Sequence, residues 1–394
     1  MLGAIIGDIV GSCWEFNPTN DYNFKLFSDT NSYTDDTICT VAVADALLHD
    51  SEDFGVYMHK WCRKYPHPMG GYGGRFARWV MSDNPQPYGS YGNGSAMRVS
   101  PVAWAANKLE FNKLMDLAER TAICTHNHAE GIRGAQTVAL AIRYGIEHHS
   151  YHSDFGQVHV KGLVDKCASR AGYDINIKRK DVLNKFDETC QGTVPVALWI
   201  IGQSSSFEDA VRNAVSLGAD ADTLGAIVGS IAEPIWGIPE EMRLKAFEYL
   251  PDDMKNVVLQ FYNRYIRDVK LCQTIDLIEF SQKYIDLFSR DFERESSLYY
   301  RIFDSLEFPD ACIALGFEMD CGHGFIAAYG EGAWHSVDIL SSIIEKIDDV
   351  KLIGSALFSK WRYFNHWSDS HTTSKDKEWF LMLFKRLSCL VKTF

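Results

Sequence analysis

The chain has 394 residues, of which 46% are hydrophobic and 13% aromatic, enough to build a substantial folded core. Its formal net charge is −13, from 39 basic and 52 acidic side chains. An acidic protein is poorly suited to neutralise phosphates, so high-affinity binding of DNA or RNA is disfavoured as a function. The length fits two or three domains, or one large domain with an appendage.

The start of the sequence and its cysteines indicate a cytoplasmic protein. Residues 1–8 lack a basic stretch and reach an aspartate too early for a secretory signal peptide. No uncharged apolar run approaches the roughly 20 residues that span a bilayer, so we expect no membrane partner. The ten cysteines show no Cys-x-x-Cys pair. We expect free thiols, with Cys62, Cys190 and Cys321 as small buried side chains rather than reactive groups.

Apolar residues recur at helical spacing along most of the first two-thirds of the chain, and strand-like alternation is scarce. The helices predicted there cover residues 38–48, 54–63, 107–121, 130–147, 192–202, 207–217, 224–232 and 252–265. The pattern predicts a single all-α domain over about residues 1–268. Glycine-rich segments connect its helices, and loops on a rigid helical scaffold are common places for binding sites.

The sequence changes character after about residue 270. Helical spacing continues in residues 273–307, 337–347 and 379–391. Residues 311–334 are different, because their short apolar stretches are interrupted by glycine and fit either strands or turns. We interpret residues 270–394 as a separate small appended domain of α or α+β class, with no assigned function.

One segment of this appended domain, residues 360–367, mixes basic and aromatic side chains. Aromatic rings next to basic groups can bind a nucleotide or a nucleic acid. A helix that packs an aromatic face into a core produces the same pattern and is its more common origin.

Two short acidic clusters, each followed by a predicted helix, are the strongest candidates for chemistry. The first, Thr34–Thr37, reads TDDT, and the second, Asp220–Thr223, reads DADT. Each offers two carboxylates and a hydroxyl, the hard oxygen ligands that Mg²⁺ prefers. Together they could hold two ions about 4 Å apart, an arrangement that activates a water and orients a substrate. Alternatively, each cluster only caps its helix and complements the helix dipole.

The glycine-rich stretch Gly92–Arg98, which reads GNGSAMR, is a second candidate. Backbone N–H groups of such a loop ahead of a helix form an anion nest that suits a diphosphate. An ordinary glycine turn explains the same residues equally well. Arg98 fits either a phosphate clamp or a structural ion pair.

Two carboxylates and two histidines complete the set of candidates. Asp8 is expected to help hold the site or to cap a helix, whereas Glu15 by itself reads as a surface carboxylate. His126 and His128 are two residues apart and do not share a helix face, so a zinc site built from both is not expected. We expect one of them to hydrogen-bond a substrate or a metal-bound water and the other to be structural.

In this order, the motifs resemble the ADP-ribosylglycohydrolase family. The segments that carry the resemblance are Gly7–Glu15, Tyr33–Thr37, Gly92–Arg98, Thr125–His128 and Gly218–Thr223. It covers about residues 1–260, and five motifs in order are more specific than any one of them. The resemblance implies an all-α fold with two Mg²⁺ ions, or Mn²⁺ in their place. It also implies hydrolysis of the glycosidic bond at C1″ of ADP-ribose in a modified protein or a small ADP-ribose conjugate.

The resemblance also assigns roles residue by residue. The implied metal ligands are Thr34, Asp35, Asp36, Asp220, Asp222 and Thr223. The implied substrate-binding residues are Tyr91, Gly92, Asn93, Gly94, Ser95, Met97 and His128. The catalytic residues are Asp36, which we expect to take a proton from the attacking water, and Glu15, which matches a substrate-gating glutamate. Ala219 departs from the usual second glycine of the family, which matters if that position needs a positive φ.

Two other classes of function fit part of the pattern. A non-catalytic ADP-ribose-binding protein could keep the fold, but the ligand losses expected of such a protein are not seen. A metal-dependent nucleotide phosphohydrolase would use similar ligands and would release phosphate or AMP instead of intact ADP-ribose. The linkage that is cleaved and the oligomeric state are not determined by the sequence.

Overall fold

The computed structural model describes residues 1–151, 157–289, 307–367 and 374–393. The described residues form α-helices joined by loops, and their only β-type pairing is an isolated antiparallel bridge between Gly92 and Thr189. The predicted all-α class is therefore confirmed. The chain divides into two compact units, Met1–Arg267 and Asp268–Phe394. Whether the second unit is an independent domain stays a prediction.

The first unit contains every helix that apolar spacing predicts, with ends that shift by about one turn at most. Its helices are α1 (Leu2–Gly11), α2 (Asp35–Leu48), α3 (Phe54–Lys64), α4 (Gly74–Met81), α5 (Gly94–Met97), α6 (Ser100–Ala105), α7 (Phe111–Ile123), α8 (Ala129–Tyr151), α9 (Gln157–Ala171), α10 (Arg179–Val182), α11 (Cys190–Gln203), α12 (Phe207–Val215), α13 (Ala221–Trp236), α14 (Glu240–Tyr249) and α15 (Asp252–Phe261). The helices that the spacing missed are α1, α4, α5, α6, α9, α10 and α14.

Side-chain caps explain where several of these helices begin. The Thr34 hydroxyl accepts a hydrogen bond from the Asp36 N–H at 3.2 Å, so α2 starts about a turn before its apolar pattern. Thr189 caps α11 by accepting from the Gly192 N–H at 3.1 Å. The residues that start α2 are thus both helix caps and candidate ligands, so the two interpretations of the first acidic cluster are compatible.

Helices α1 and α13 approach so closely that only glycine fits between them. A Cβ built on Gly7 would lie 1.9 Å from the Gly225 carbonyl oxygen, and one on Gly229 would lie 2.1 Å from the Gly3 carbonyl oxygen. Gly11 lies against the start of α13, where an added Cβ would lie 2.3 Å from the Ala221 oxygen. All ten residues of α1 are buried. This contact fixes the end of α1 beside the start of α13.

The second unit is also helical where the structure describes it. Its helices are α16 (Val269–Ser289), α17 (Glu307–Ala314), α18 (His323–Tyr329), α19 (Glu331–His335), α20 (Val337–Ile343), α21 (Val350–Trp367) and α22 (Ser374–Thr393). The option of strands within residues 311–334 is therefore wrong, because glycines at positive φ, Gly322 and Gly330, flank a short helix there. Residues 290–306, part of a predicted helical stretch, lie outside the described residues.

Aromatic side chains build the core of this unit and explain the basic and aromatic segment. Tyr284 stacks on Phe384 with ring centroids 5.2 Å apart, inside a larger aromatic cluster. Lys360 is 6% exposed and donates to the Trp334 carbonyl oxygen, with its Nζ 4.4 Å from the centre of the Trp379 ring. Lys360 is therefore part of the core, and the same segment's side chains at residues 363–367 lie outside the described residues.

Two sequence expectations about the surface and the thiols can be compared with the structure. No helix among the residues described here is long and apolar enough to cross a membrane. Cys62 and Cys190 are buried free thiols, as expected, whereas Cys321 is exposed. The expectation of burial is therefore wrong at Cys321, which lies in a turn with φ of 59°.

We expect Gly7→Ala to destabilise the first unit by about 2–3 kcal/mol, because the added methyl meets an immobile backbone carbonyl. Gly162→Ala in α9 is the matched control, since a Cβ there meets nothing within 4 Å. It should stabilise the protein by about 0.5–1 kcal/mol through helix propensity. Urea unfolding followed by circular dichroism measures both, and equal effects of the two variants would contradict the proposed role of this contact.

Candidate functional site

The close approach of α1 and α13 brings three chain segments together at one end of the first unit. These are the end of α1 with the turn after it, the start of α2, and the start of α13. One carboxylate oxygen each from Glu15, Asp220 and Asp222 lies within 4.8 Å of the others, a spacing that can hold a metal ion. Glu15 thus meets both carboxylates of the second acidic cluster here.

Asp8 connects α1 to the start of α2 and is completely buried. Its carboxylate accepts from the Thr34 N–H at 3.0 Å and from the Thr34 hydroxyl at 2.7 Å. It also accepts from the Thr37 N–H at 3.1 Å and from the Thr37 hydroxyl. Asp8 therefore caps α2 from outside the helix and also holds the first acidic cluster in place, which were the two roles the sequence suggested.

Asp36 connects the two acidic clusters directly. Its Oδ2 accepts from the Thr223 hydroxyl of α13 at 3.1 Å, whereas its Oδ1 is buried with no hydrogen-bond partner among the described residues. Asp222 Oδ1 is buried and without a partner in the same way. A buried carboxylate oxygen without a donor is costly, so these two atoms point to a ligand that supplies positive charge. The residues present fit a divalent cation.

Burial raises the pKa of each carboxyl group in the cluster. The pKa of Asp8 rises to about 6, with hydrogen bonds from Thr34 and Thr37 opposing the effect of burial, and that of Asp220 rises to about 7. The pKa values of Asp36 and Asp222 lie well above the ordinary range, because burial is reinforced by neighbouring negative charges. These are Asp222 and Asp8 around Asp36, and Asp220 and Asp8 around Asp222. Like charges packed this closely favour the protonated form in the absence of a cation.

Basic side chains do not offset this charge. In the part of the chain that the structure describes, the ion pairs lie elsewhere, and no lysine or arginine is a leading cause of a pKa shift in the cluster. Two ionised carboxylates 4.8 Å apart repel by about 3 kcal/mol at an effective dielectric constant of 20. A divalent cation would convert this repulsion into attraction.

Glu15 lies at the edge of the cluster and is about half buried. Burial, followed by the charges of Asp222, Asp8 and Glu188, raises the pKa of its carboxyl group to about 8. Its Oε2 lies against Gly70, where an added Cβ would be 2.4 Å away and where φ is +74°. The first glycine-rich loop, residues 70–74, therefore passes beside this carboxylate, and Glu15 is not an ordinary surface residue.

The Gly92–Gly94 loop is held by backbone hydrogen bonds to the segment that precedes α11. The Asn93 N–H donates to the Glu188 oxygen at 2.7 Å, and the Cys190 N–H donates to the Tyr91 oxygen at 2.9 Å. The Asn93 side chain donates to Asp220 Oδ2 at 2.7 Å and to the Thr193 hydroxyl at 3.1 Å. Asn93, expected to bind substrate, is thus bonded to a candidate metal ligand and orients it.

The other residues expected to bind substrate divide into buried and exposed groups. The Ser95 hydroxyl is buried and donates to the Gly131 oxygen at 2.7 Å, and Met97 is also buried. Tyr91 is 46% exposed, and its ring lies 5.3 Å from the ring of His128, which is exposed too. Tyr91 and His128 therefore form an open surface beside the Gly92–Gly94 loop, whereas Ser95 and Met97 support the loop from inside.

Some parts of this site were missed at the level of sequence. Thr193 and Glu188 have no signal in the sequence, because their roles depend on contacts with distant segments. The spacing of Gly3, Gly7 and Gly11 was a usable signal, since glycines four residues apart line one helix face. The substitution at position 219 is harmless to the backbone, since the positive φ of 67° falls on Gly218 and Ala219 has none.

Comparison with known proteins gives a consistent picture of the family. The sequence profile of the ADP-ribosylglycohydrolases matches residues 1–269. ADP-ribosylarginine hydrolase Tri1 of Serratia proteamaculans is 23% identical over 265 residues, covering 60% of this chain and 70% of that protein. ADP-ribosylhydrolase ARH3 of Homo sapiens is 24% identical over 327 residues, covering 64% of this chain and 90% of that protein.

A solved structure of an ADP-ribosylglycohydrolase-related protein complex shares the fold, with a TM-score of 0.50 and 23% identity. It covers 66% of this chain and 96% of that chain. The chain belongs to the ADP-ribosylglycohydrolase family, as its motifs predicted. Membership places it among the hydrolases of ADP-ribose linkages.

We expect Asn93→Ala to weaken the binding of Mn²⁺ by about 10–100-fold, the usual effect of losing a residue that orients a metal ligand. Asp222→Asn, which replaces one of the carboxylates, should cause at least as large a loss. Asn213→Ala is the matched control, because Asn213 donates to Asp209 at 3.0 Å, and that aspartate is not one of the clustered carboxylates. Isothermal titration calorimetry measures all three, and wild-type affinity in both site variants would exclude a cation site here.

The affinity for Mn²⁺ should increase between pH 6 and pH 8. The pKa values of about 6, 7 and 8 at Asp8, Asp220 and Glu15 lie in this range, and a cation binds carboxylates only after their protons leave. Calorimetry at three pH values, in buffers with different enthalpies of ionisation, measures both the affinity and the protons released. A constant affinity without proton release would contradict the proposed cation site.

Proposed function

We propose that this protein is a metal-dependent hydrolase that cleaves the glycosidic bond at C1″ of ADP-ribose and removes ADP-ribose from modified protein side chains or small conjugates. The proposal extends the family's activity to a specific bond and to a metal-dependent site. The observation that supports it most strongly is the pair of buried carboxylate oxygens without donors, Asp36 Oδ1 and Asp222 Oδ1, at the point where the two acidic clusters meet.

The proposed ligands of two Mg²⁺ ions, or of Mn²⁺ in their place, are the oxygen-bearing residues of the two clusters. They are Thr34, Asp35, Asp36, Asp220, Asp222 and Thr223. Bound divalent cations would polarise a water and the ribose hydroxyls, and would offset the negative charge of the cluster. Asp8 is bonded to Thr34 and Thr37, and Asn93 is bonded to Asp220, so hydrogen bonds within the chain position part of this set before a cation arrives.

Cleavage at an anomeric carbon passes through a transition state that resembles an oxocarbenium ion, with positive charge on the sugar. Asp36, which joins the two clusters through its hydrogen bond from Thr223, is our candidate to take a proton from the attacking water. Glu15, half buried at the edge of the site, is our candidate for contact with the substrate and for gating its entry.

The diphosphate of ADP-ribose needs donors that lie apart from the acidic cluster. The Gly92–Gly94 loop leads into the short helix α5 and is tied down by the bridge to Thr189. Glycine lets the loop backbone approach a ligand closely. The Gly92 and Asn93 N–H groups already donate to Ser90 Oγ and to the Glu188 oxygen, so the Gly94 N–H is the loop donor that we propose for a phosphate oxygen. We place the exposed pair Tyr91 and His128 beside the same ligand, because their rings adjoin this loop.

Activity is tested by incubating the protein with arginine-linked and serine-linked ADP-ribosyl peptides and with O-acetyl-ADP-ribose. We expect free ADP-ribose from at least one conjugate in the presence of Mg²⁺ or Mn²⁺ and none with EDTA. Asp36→Asn should lower kcat by about 10²–10⁴-fold, the usual contribution of a general base. Chromatography with mass detection identifies the product and its rate of release.

Asp45→Asn is the control for this variant, because Asp45 lies on the same helix but bonds Trp61 Nε1 at 2.8 Å, away from the cluster. Its activity should stay near the wild-type level. Release that resists EDTA would contradict the metal dependence. AMP or phosphate as the product would support a phosphohydrolase, and ADP-ribose binding without any turnover would support a binding protein.

A further inference from the structure

A fully buried arginine lies next to the candidate substrate loop without contacting solvent. Arg98 is 1% exposed, and one of its terminal nitrogens donates to the Thr121 oxygen and to the Thr125 hydroxyl, each at 2.8 Å. Neither role suggested by the sequence fits, because a phosphate clamp must be reachable, and the groups that accept hydrogen bonds from Arg98 are neutral rather than carboxylates. Its charge instead acts on the groups packed around it.

The Thr125 hydroxyl connects Arg98 to His126 through two hydrogen bonds. Thr125 Oγ1 lies 2.7 Å from His126 Nδ1, within normal hydrogen-bond distance. Because Oγ1 already accepts from the guanidinium of Arg98, its own proton is polarised toward the strongest acceptor nearby. The Cys124 sulfur also lies near this hydroxyl, but sulfur is a weak acceptor. Donation from the hydroxyl to Nδ1 is therefore the favoured arrangement of this hydrogen bond.

His126 is neutral at physiological pH. It is 5% exposed, and burial, together with the positive charges of Arg98 and Arg75, holds its pKa well below the ordinary range. A neutral imidazole carries one N–H, and the nitrogen that accepts a hydrogen bond is the one without it. With Nδ1 as the acceptor, the proton of His126 lies on Nε2.

The Nε2 side of the ring faces the candidate diphosphate loop. A Cβ built on Gly94 would lie 3.3 Å from His126 Nε2, and one on Gly92 would lie 3.4 Å from it. The opposite part of the residue is packed by α8, where a Cβ on Gly131 would lie 2.9 Å from the His126 Cβ. The ring is thus enclosed between the loop and a helix, so it cannot turn to exchange its two nitrogens.

We propose that Arg98 and Thr125 are positioning residues that hold His126 as the Nε2–H tautomer, so that it presents a fixed neutral donor to an anionic group bound at the Gly92–Gly94 loop. The anionic group is the diphosphate of the substrate, so this inference rests on the proposed function. A neutral donor of fixed direction adds to the backbone N–H groups of the loop without placing a competing cation near the acidic cluster.

The tautomer is measured directly by two-bond ¹H–¹⁵N correlation spectra of protein labelled with ¹⁵N-histidine, without metal or ligand. The chain has 13 histidines, and the spectrum of His126→Gln assigns the signal by its absence. We expect the Nε2–H pattern at pH 7. A doubly protonated ring or the Nδ1–H pattern in the wild-type protein would overturn the proposal without any further variant.

The positioning role is tested by Thr125→Val, which keeps the shape and removes the hydroxyl. We expect mixed tautomers at His126 and a Kd for ADP-ribose, measured with Mg²⁺, about tenfold weaker, roughly the loss of one hydrogen bond to a charged group. Thr125→Ser should restore both values. Wild-type tautomer and Kd in a folded Thr125→Val protein would overturn the role of the hydroxyl.

The same spectra distinguish failure of this inference from failure of the proposed function. Inorganic pyrophosphate added to the wild-type protein should shift the His126 Nε2 resonance, whether or not any conjugate is hydrolysed. If no conjugate is cleaved and this shift is present, the proposed hydrolase activity is wrong and the donor assignment holds. If conjugates are cleaved and neither pyrophosphate nor ADP-ribose shifts the resonance, the donor assignment is wrong and the activity holds.

Discussion

The glycine contact between α1 and α13 is the constraint on which the site depends. Backbone atoms of the two helices touch at Gly3, Gly7 and Gly11 on one side and at Gly225 and Gly229 on the other. This places Asp8 and the turn that carries Glu15 beside the start of α13. With larger side chains the helices would separate by several ångströms, and carboxylate oxygens now within 4.8 Å of one another would no longer share one ion.

Burying several carboxyl groups close together costs free energy, and the hydrogen bonds of the fold do not fully offset this cost. Burial and mutual repulsion raise the pKa of each buried carboxyl group, so the metal-free protein holds protons there near neutral pH. Hydrogen bonds from Thr34 and Thr37 to Asp8, and from Asn93 to Asp220, recover part of the cost. The donors are neutral, so a bound divalent cation would supply the positive charge that no lysine or arginine of the described residues provides.

Local patterns in the sequence predicted those features of the fold that depend on neighbouring residues. Apolar spacing found most of the long helices, although it missed the 15-residue α9, and the order of five motifs found the family. The spacing missed α1, because a short buried helix with three glycines has no polar face to give it a period. Roles fixed by distant contacts were also missed: the bond from Asn93 to Asp220 spans 127 residues, and no spacing rule relates such positions. The strand option within residues 311–334 failed because short helices bounded by glycine resemble strands in composition.

Under the proposed function, the site must attract cations and accept a diphosphate within one small region, and these requirements conflict. A lysine or arginine bonded directly to the phosphate could pair with the carboxylates instead of a metal. The donors that we propose carry no net charge: the Gly94 N–H of the loop and the ring of His126. Arg98 is buried behind Thr125. Its positive charge therefore affects the ligand only by polarising the hydrogen bonds that run from Arg98 through Thr125 to His126. A guanidinium too deeply buried to bind either the carboxylates or the phosphates can still set the direction of a neutral donor.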